Sequence, residues 1–432
     1  MITRVNGLSN FSFKNQPEQK KDVSDSLYNL KTQPDEVILS GENAKSSKKS
    51  KMGIVLGFTT ISAIIIGLVL RGRLTQAKDI TFKFAENIDY KKAETIEEAR
   101  EFSKTKLGIK TVDDAMPLDI LNWVNEGLVN INNVRKGKAK LPDSLGYQAM
   151  DSDILACVIQ KQDGGKFGSI LNINKNALDS LDEYFNINIK SFIEDGLGVF
   201  KEGSDGKLSV SNFYSNSVAT PSLIEKVNKW REDSSSFSII DKIQFYEDFS
   251  KLNHAVNSFY NAPLSKLEQL LKNPGIEETL LMHFNLPDIN QIKKLTTEQQ
   301  RNVLVNVVNT CLSSGDRINL GYSKGDKFET IYHEIGHLEH CTNIGYENYM
   351  KLGKPEECIS YLGKVSDETS EFLQNQEKQQ TAYRVTPYAT ESPAEFVAEV
   401  YRRIIQKRVA GDTKPLNEDI MRLYSEYKGV AV

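Results

Sequence analysis

Cysteine, tryptophan and histidine are all scarce in this chain of 432 residues, at four, two and five copies. The cysteines, Cys157, Cys311, Cys341 and Cys358, are widely spaced and include no C-x-x-C pair, so a dense disulfide framework is excluded. Cys311 and Cys341 either bridge or remain buried thiols. A strong charge bias is missing too: the formal net charge is -4 and 26% of residues are charged, an ordinary globular share. Nothing in this balance points to nucleic acid. No Walker or dinucleotide-binding glycine pattern occurs, and no internal repeat stands out.

Long apolar runs are also missing, with one exception. Met52–Leu70 reads MGIVLGFTTISAIIIGLVL, nineteen residues without a charge, close to the length that crosses a hydrocarbon core of about 30 Å. Lys48, Lys49 and Lys51 flank it on one side, Arg71 and Arg73 on the other. We therefore expect a transmembrane anchor at 52–71, preceded by a polar tail at 1–51 too poor in apolar residues to fold. More than fifty residues precede the run and no small-x-small site follows it, which argues against a cleaved signal peptide. Lys45, Lys48, Lys49 and Lys51 on one side balance Arg71, Arg73, Lys78 and Lys83 on the other, so the positive-inside rule ties, and the tighter clustering of the N-terminal lysines tips the expectation to a cytoplasmic tail and an extracytoplasmic C-terminal region.

From 74 to 150 the periodicity is helical, notably over Ile96–Leu107 and from Leu118 onward, with Trp123 on a core face. The region 151–312 is mixed. Ile154–Gln160 and Ser169–Asn174 predict an antiparallel pair turning at Asp163-Gly164-Gly165, and residues 198–210 predict a second hairpin around Asp205-Gly206, together one small sheet. Helices are expected over 222–233, 239–260, up to 271, and 296–312. His254 and His283 have no ligand-type neighbours at useful spacing and are read as structural.

Because histidine is so rare, its one cluster carries information. Thr330–His340 reads TIYHEIGHLEH, which contains His-Glu-x-x-His at His333, Glu334 and His337. On a helix the two imidazoles stand one turn apart on one face and reach a single metal ion. Zn²⁺ suits such donors, keeps a position open for water, and lowers that water's pKa to about 7, so that Glu334 suffices as base. A catalytic zinc needs a third protein ligand. His340 follows on the same helix and cannot reach a tetrahedral vertex without strain, and Asn343 stands where an extended motif would place a histidine. Downstream, Ser392 and Pro393 predict a helix start, which sets Glu395 and Glu399 one turn apart on one face. Glu395 is the candidate ligand and Glu399 the candidate acceptor for the free N–H of a ligating histidine. Ser392-x-x-Glu395 is also the pattern of a capping box, which is the competing reading of Glu395. Asp316–Tyr322, just before the histidine helix, reads as a strand: either an edge that accepts an extended peptide, or an ordinary interior strand.

His333-Glu334-x-x-His337, then Tyr388, Glu395 seven residues later and Glu399, resembles the gluzincin branch of zinc metallopeptidases, in particular the anthrax lethal factor-like peptidases, over residues 317 to about 428. The resemblance implies Zn²⁺ on His333, His337 and Glu395, Glu334 as general base, Tyr388 beside the oxyanion, and a zincin-like catalytic core at 313–432. The expectation is an α+β, mainly helical chain with a small sheet and an active-site helix, preceded by a single transmembrane helix. Its function would be that of a membrane-anchored zinc metalloendopeptidase acting on protein or peptide substrates. The alternative is a catalytically inactive, membrane-tethered binding or structural protein with a vestigial metal site. The polar sequence around Thr330–Cys341 argues against an intramembrane protease.

Overall fold

A computed structural model of the chain describes residues 84–150, 154–163, 166–194, 200–210, 221–271, 289–314, 326–345, 355–386 and 388–432. The tail at 1–51, the apolar run at 52–71, Asp316–Tyr322 and His283 lie outside the described residues, as do the side chains of His254, Cys311 and Cys358. Among the described residues no helix is long and apolar enough to cross a membrane. The fold is α+β and mainly helical, and it divides into two compact units. Residues 84–178 and 328–432 make up one and 179–327 the other, so each unit draws on more than one of the sequence segments delimited at 150 and 312.

The first unit begins with α1, Ile96–Leu107, entered through a full capping box between Thr95 and Glu98 and left through Gly108 at φ 65°. Strand β1 is Thr111–Val112, and α2 is Leu118–Val134. The buried amide of Asn125 on α2 bonds the Ala99 carbonyl and takes the Ser103 hydroxyl at 2.7 Å, tying α1 to α2, while Trp123 is buried. Strands β2, Ser144–Gln148, β3, Ala156–Asp163, and β4, Lys166–Asn174, follow, and then a short helix α3, Lys175–Asp179. Among the described residues the order is β1-β2-β4-β3, with β1, β2 and β4 parallel and β3 antiparallel at the edge. The β3–β4 hairpin forms as the sequence predicts, in register from Asp163↔Lys166 to Ala156↔Ile173.

Strands β1 and β2 correct the helical reading of 74–150. They are two and five residues long and are stabilised by parallel pairing to distant segments, Ser144 opposite Ile170, which leaves no local alternation to read.

The second unit holds α4, Leu181–Glu194, and the hairpin of β5, Phe200–Glu202, with β6, Leu208–Val210, where Gly206 takes φ +75° in the turn. Then come α5, Pro221–Glu232, α6, Ile239–Asn261, α7, Pro263–Leu270, α8, Ile289–Ile292, and α9, Thr297–Ser314. The two hairpins do not share a sheet, contrary to the expectation above. Phe200 on β5 packs against Phe192 and Phe249 in an aromatic core with Phe185, Trp230 and Phe245, so this hairpin belongs to a different core from β3–β4.

The first unit resumes with α10, Glu329–Asn343, α11, Pro355–Gln374, α12, Gln376–Tyr383, a 3₁₀ turn at Tyr388–Thr390, α13, Pro393–Val409, and α14, Glu418–Glu426. Every residue from Glu329 to His340 is buried, so α10 is a central helix rather than an amphipathic surface one. Two glycines admit its neighbours. A Cβ on Gly336 would stand 3.0 Å from Ala398 Cα on α13, and one on Gly127 of α2 would stand 2.9 Å from Ile331 Cδ1.

Candidate metal centre

Helical spacing on α10 brings His333 Nε2 and His337 Nε2 within 2.9 Å, with the rings at 80° to one another. The close approach of α13 at Gly336 supplies the third donor: Glu395 Oε2 lies 3.1 Å from His333 Nε2 and 3.3 Å from His337 Nε2. Among the described residues this is the group of ligand-type side chains that converges tightly enough for a metal ion, and all three members are buried.

The start of α13 determines where Glu395 points. Ser392 Oγ accepts the Glu395 main-chain N–H at 3.1 Å, and Pro393 opens the first turn. In the boxes that begin α1 and α6 the acidic side chain turns back to the cap's own N–H. Glu395 sends its carboxylate to the histidines instead, so its backbone serves the cap and its side chain the cluster.

The donor set fits a divalent cation. Glu395 Oε2 is buried and, although two imidazole nitrogens lie within 3.3 Å, it makes no aligned hydrogen bond. Tetrahedral Zn²⁺ with bonds near 2.1 Å spaces its donors about 3.4 Å apart; the two separations from Glu395 Oε2, 3.1 and 3.3 Å, come close to this, and the two imidazole nitrogens, at 2.9 Å, would have to part by about 0.5 Å. Two imidazoles and one carboxylate are a donor set that Zn²⁺ accepts.

His333 is oriented from behind. Its Nδ1 lies 2.8 Å from Glu399 Oε1, and an ionised carboxylate only accepts, so Nδ1 carries the hydrogen and Nε2 faces the cluster. Arg402 closes a fork on Glu399, Nε to Oε1 at 3.1 Å and Nη2 to Oε2 at 2.8 Å. Its Nη1 bonds Glu329 Oε2, and Gln406 holds Glu329 Oε1 at 2.7 Å.

Burial works against ionising Glu399, yet the charge of Arg402 and the bond from His333 hold its carboxyl well below the usual range. Glu395 is held low against the same burial by His337 and His333. Burial likewise opposes charge on His333, but the two carboxylates outweigh it and raise its pKa well above that of an ordinary imidazole. The carboxylates thus favour positive charge at the centre of the cluster. Glu329, Glu334, Glu395 and Glu399 are all buried around it, with Arg402 bonded to two of the four.

Glu334 Oε2 accepts the Val158 main-chain N–H at 2.9 Å, which anchors this side chain to β3, the edge strand. The strand expected beside α10 at 316–322 lies outside the described residues, and β3 is the strand found against that helix. Tyr388 is buried in the 3₁₀ turn with its ring 5.7 Å from that of His333. His340 lies apart from the cluster: its Nε2 is 2.9 Å from the Tyr427 carbonyl, and burial first, then His337, lowers its pKa to about 4. It is a neutral donor to a backbone carbonyl.

Sequence reasoning missed Val158, Glu329 and Arg402. Val158 contributes only its main chain, which no residue type betrays. Glu399 and Arg402 are an acid–base pair three residues apart, a pattern that reads as a solvated helix face until the helix is known to be buried. No protein-family model matches the chain, and no curated protein or solved structure matches it either.

Proposed function

We propose that this chain is a membrane-anchored, zinc-dependent metallopeptidase with a zincin-like catalytic unit. The observation that carries the reading is the convergence of His333 Nε2, His337 Nε2 and Glu395 Oε2 within 3.3 Å, with Glu334 on the same helix turn. Further support comes from the gluzincin-like order of His333, Glu334, His337, Tyr388, Glu395 and Glu399, and from a mixed sheet whose antiparallel edge strand lies against the histidine helix.

A Zn²⁺ ion held there supplies Lewis acidity toward a scissile carbonyl and acidifies a water molecule. Glu334 takes the proton of the attacking water and passes it to the leaving amine, and the Val158 N–H keeps its carboxylate on the β3 side. Glu399 fixes the tautomer of His333. The Tyr388 hydroxyl donates to the developing oxyanion. The run at 52–71 is the proposed anchor, with the catalytic unit on the extracytoplasmic side.

The inactive, closed-shell alternative needs a fourth protein ligand. His340, the nearest further imidazole in sequence, is bonded to the Tyr427 carbonyl, so no observation favours that reading. The test uses the full chain in detergent: metal content by mass spectrometry and peptide cleavage by proteomic profiling, for wild type, Glu334→Gln and His337→Ala. One zinc per chain and cleavage in wild type, zinc without cleavage in Glu334→Gln, and loss of zinc in His337→Ala are expected. Cleavage retained by Glu334→Gln overturns the mechanism.

A further inference from the structure

Behind the cluster, α10 and α13 are joined by a polar chain that runs His333, Glu399, Arg402, Glu329, Gln406, buried as far as Glu329 and half-buried at Gln406. Three features separate it from a generic buried ion pair. Both carboxylates are held at both oxygens: Glu399 Oε1 by His333 Nδ1 and Arg402 Nε, Glu399 Oε2 by Arg402 Nη2, Glu329 Oε2 by Arg402 Nη1, and Glu329 Oε1 by Gln406. It crosses between the helices three times, since His333 and Glu329 lie on α10 whereas Glu399, Arg402 and Gln406 lie on α13. One end of the chain is a ring nitrogen of a candidate metal ligand.

We infer that Arg402 is a positioning residue of the metal centre: braced by Glu329, it aims the Glu399 carboxylate at His333 Nδ1 and sets the spacing of α13 from α10 at which Glu395 reaches both imidazoles. The planar guanidinium is what the geometry requires. Its Nε and Nη2 engage one carboxylate as a fork while Nη1 reaches a second, and a lysine ammonium cannot reproduce that arrangement. Without the fork, Glu399 keeps its bond to His333 but loses what fixes its rotation, and Glu329 loses its tie to the opposite helix. The Glu395 carboxylate, two turns before Arg402 on α13, then shifts relative to His333 and His337.

The inference rests on the metal-centre reading above, and its test separates the two. Full-length wild type, Arg402→Met, Arg402→Lys, Glu329→Gln and His337→Ala are titrated with Zn²⁺ against a chelator of known affinity. The same proteins are loaded with Co²⁺ for their visible ligand-field spectra, and the metal-free forms are checked by circular dichroism and melting. Loss of an outer partner of a ligating histidine typically weakens metal binding 10- to 100-fold. Arg402→Met is expected in that range, with a changed Co²⁺ spectrum, and Arg402→Lys is expected to lose at least tenfold despite keeping its charge. A purely structural role would lower melting and leave the affinity and Co²⁺ spectrum of the folded fraction unchanged. If Arg402→Met does not fold, Arg402→Lys and Glu329→Gln decide by the same criteria. Wild-type Zn²⁺ affinity and spectrum in the folded variants overturn the inference. Wild-type Zn²⁺ affinity in His337→Ala overturns instead the reading on which it rests.

Discussion

Gly336→Ala probes whether the third ligand depends on helix spacing. The added Cβ would meet Ala398 Cα at 3.0 Å, Ala398 O at 3.1 Å and Tyr401 Cβ at 3.3 Å, all on α13. Two of these are backbone atoms and the third is a Cβ, so no rotamer change relieves them and α13 must move by several tenths of an ångström. Stability registers this weakly. Alanine is favoured over glycine by about 0.8–1.0 kcal/mol inside a helix, while overpacking costs about 1–3 kcal/mol, leaving a net loss of roughly 0–2 kcal/mol. The metal registers it strongly, because ligand distances tolerate only about 0.2 Å and Ala398 is one turn beyond Glu395. We expect Zn²⁺ affinity to fall at least tenfold, about 1.4 kcal/mol, with melting of the metal-free protein lowered by no more than about 8 °C. The control is Gly127→Ala, whose Cβ meets only side-chain atoms, of Ile331 and Phe328, and none on α13. Chelator competition and calorimetry on both variants provide the check. Wild-type Zn²⁺ affinity in Gly336→Ala, or an equal loss in Gly127→Ala, would refute the idea that close packing at Gly336 delivers Glu395.

Other outcomes follow from single contacts. Ser392→Ala removes the cap on the Glu395 N–H and should cost about 1 kcal/mol, read as a shifted denaturant midpoint without loss of zinc stoichiometry. Tyr388→Phe should leave zinc affinity intact while lowering kcat about 10²–10³-fold, measured on whichever peptide the cleavage profile yields. His340 has a folded pKa of about 4, below its unfolded value of about 6.5, so its contribution is present above pH 6.5 and lost as pH falls through 4. The ceiling on that loss is about 3 kcal/mol. Denaturant midpoints of wild type and His340→Gln, whose side chain can still donate to Tyr427 O, should therefore converge or cross between pH 7 and pH 4, with wild type falling more steeply.

What the sequence makes legible here is what acts locally. The start of α13 follows from Ser392 and Pro393, and the β3–β4 pair from its apolar runs and intervening glycines. The spacing of His333 and His337 is fixed by any helix that contains them. What escapes is contact between distant segments. Strands β1 and β2 exist because β4 pairs with β2 some 26 residues on, and the histidine helix shares its unit with residues 84–178 through packing such as Gly127 against Ile331. Whether Glu395 caps or ligates is undecidable from Ser392-x-x-Glu395, because both roles use the same spacing. In the structure its main-chain N–H takes the cap while its side chain joins the two histidines.

The bond from Val158 to Glu334 spans 176 positions of the chain, and the one from His333 to Glu399 spans 66. A ribosome-bound chain therefore makes Val158 early, the two histidines much later, and Glu395 and Glu399 later still. Until that last segment emerges, the histidine helix has no third donor, no partner at Gly336 and no carboxylate behind His333. On the proposed function, a growing chain is harmless to itself and to its neighbours until the segment that carries Glu395 and Glu399 has emerged and docked on the histidine helix.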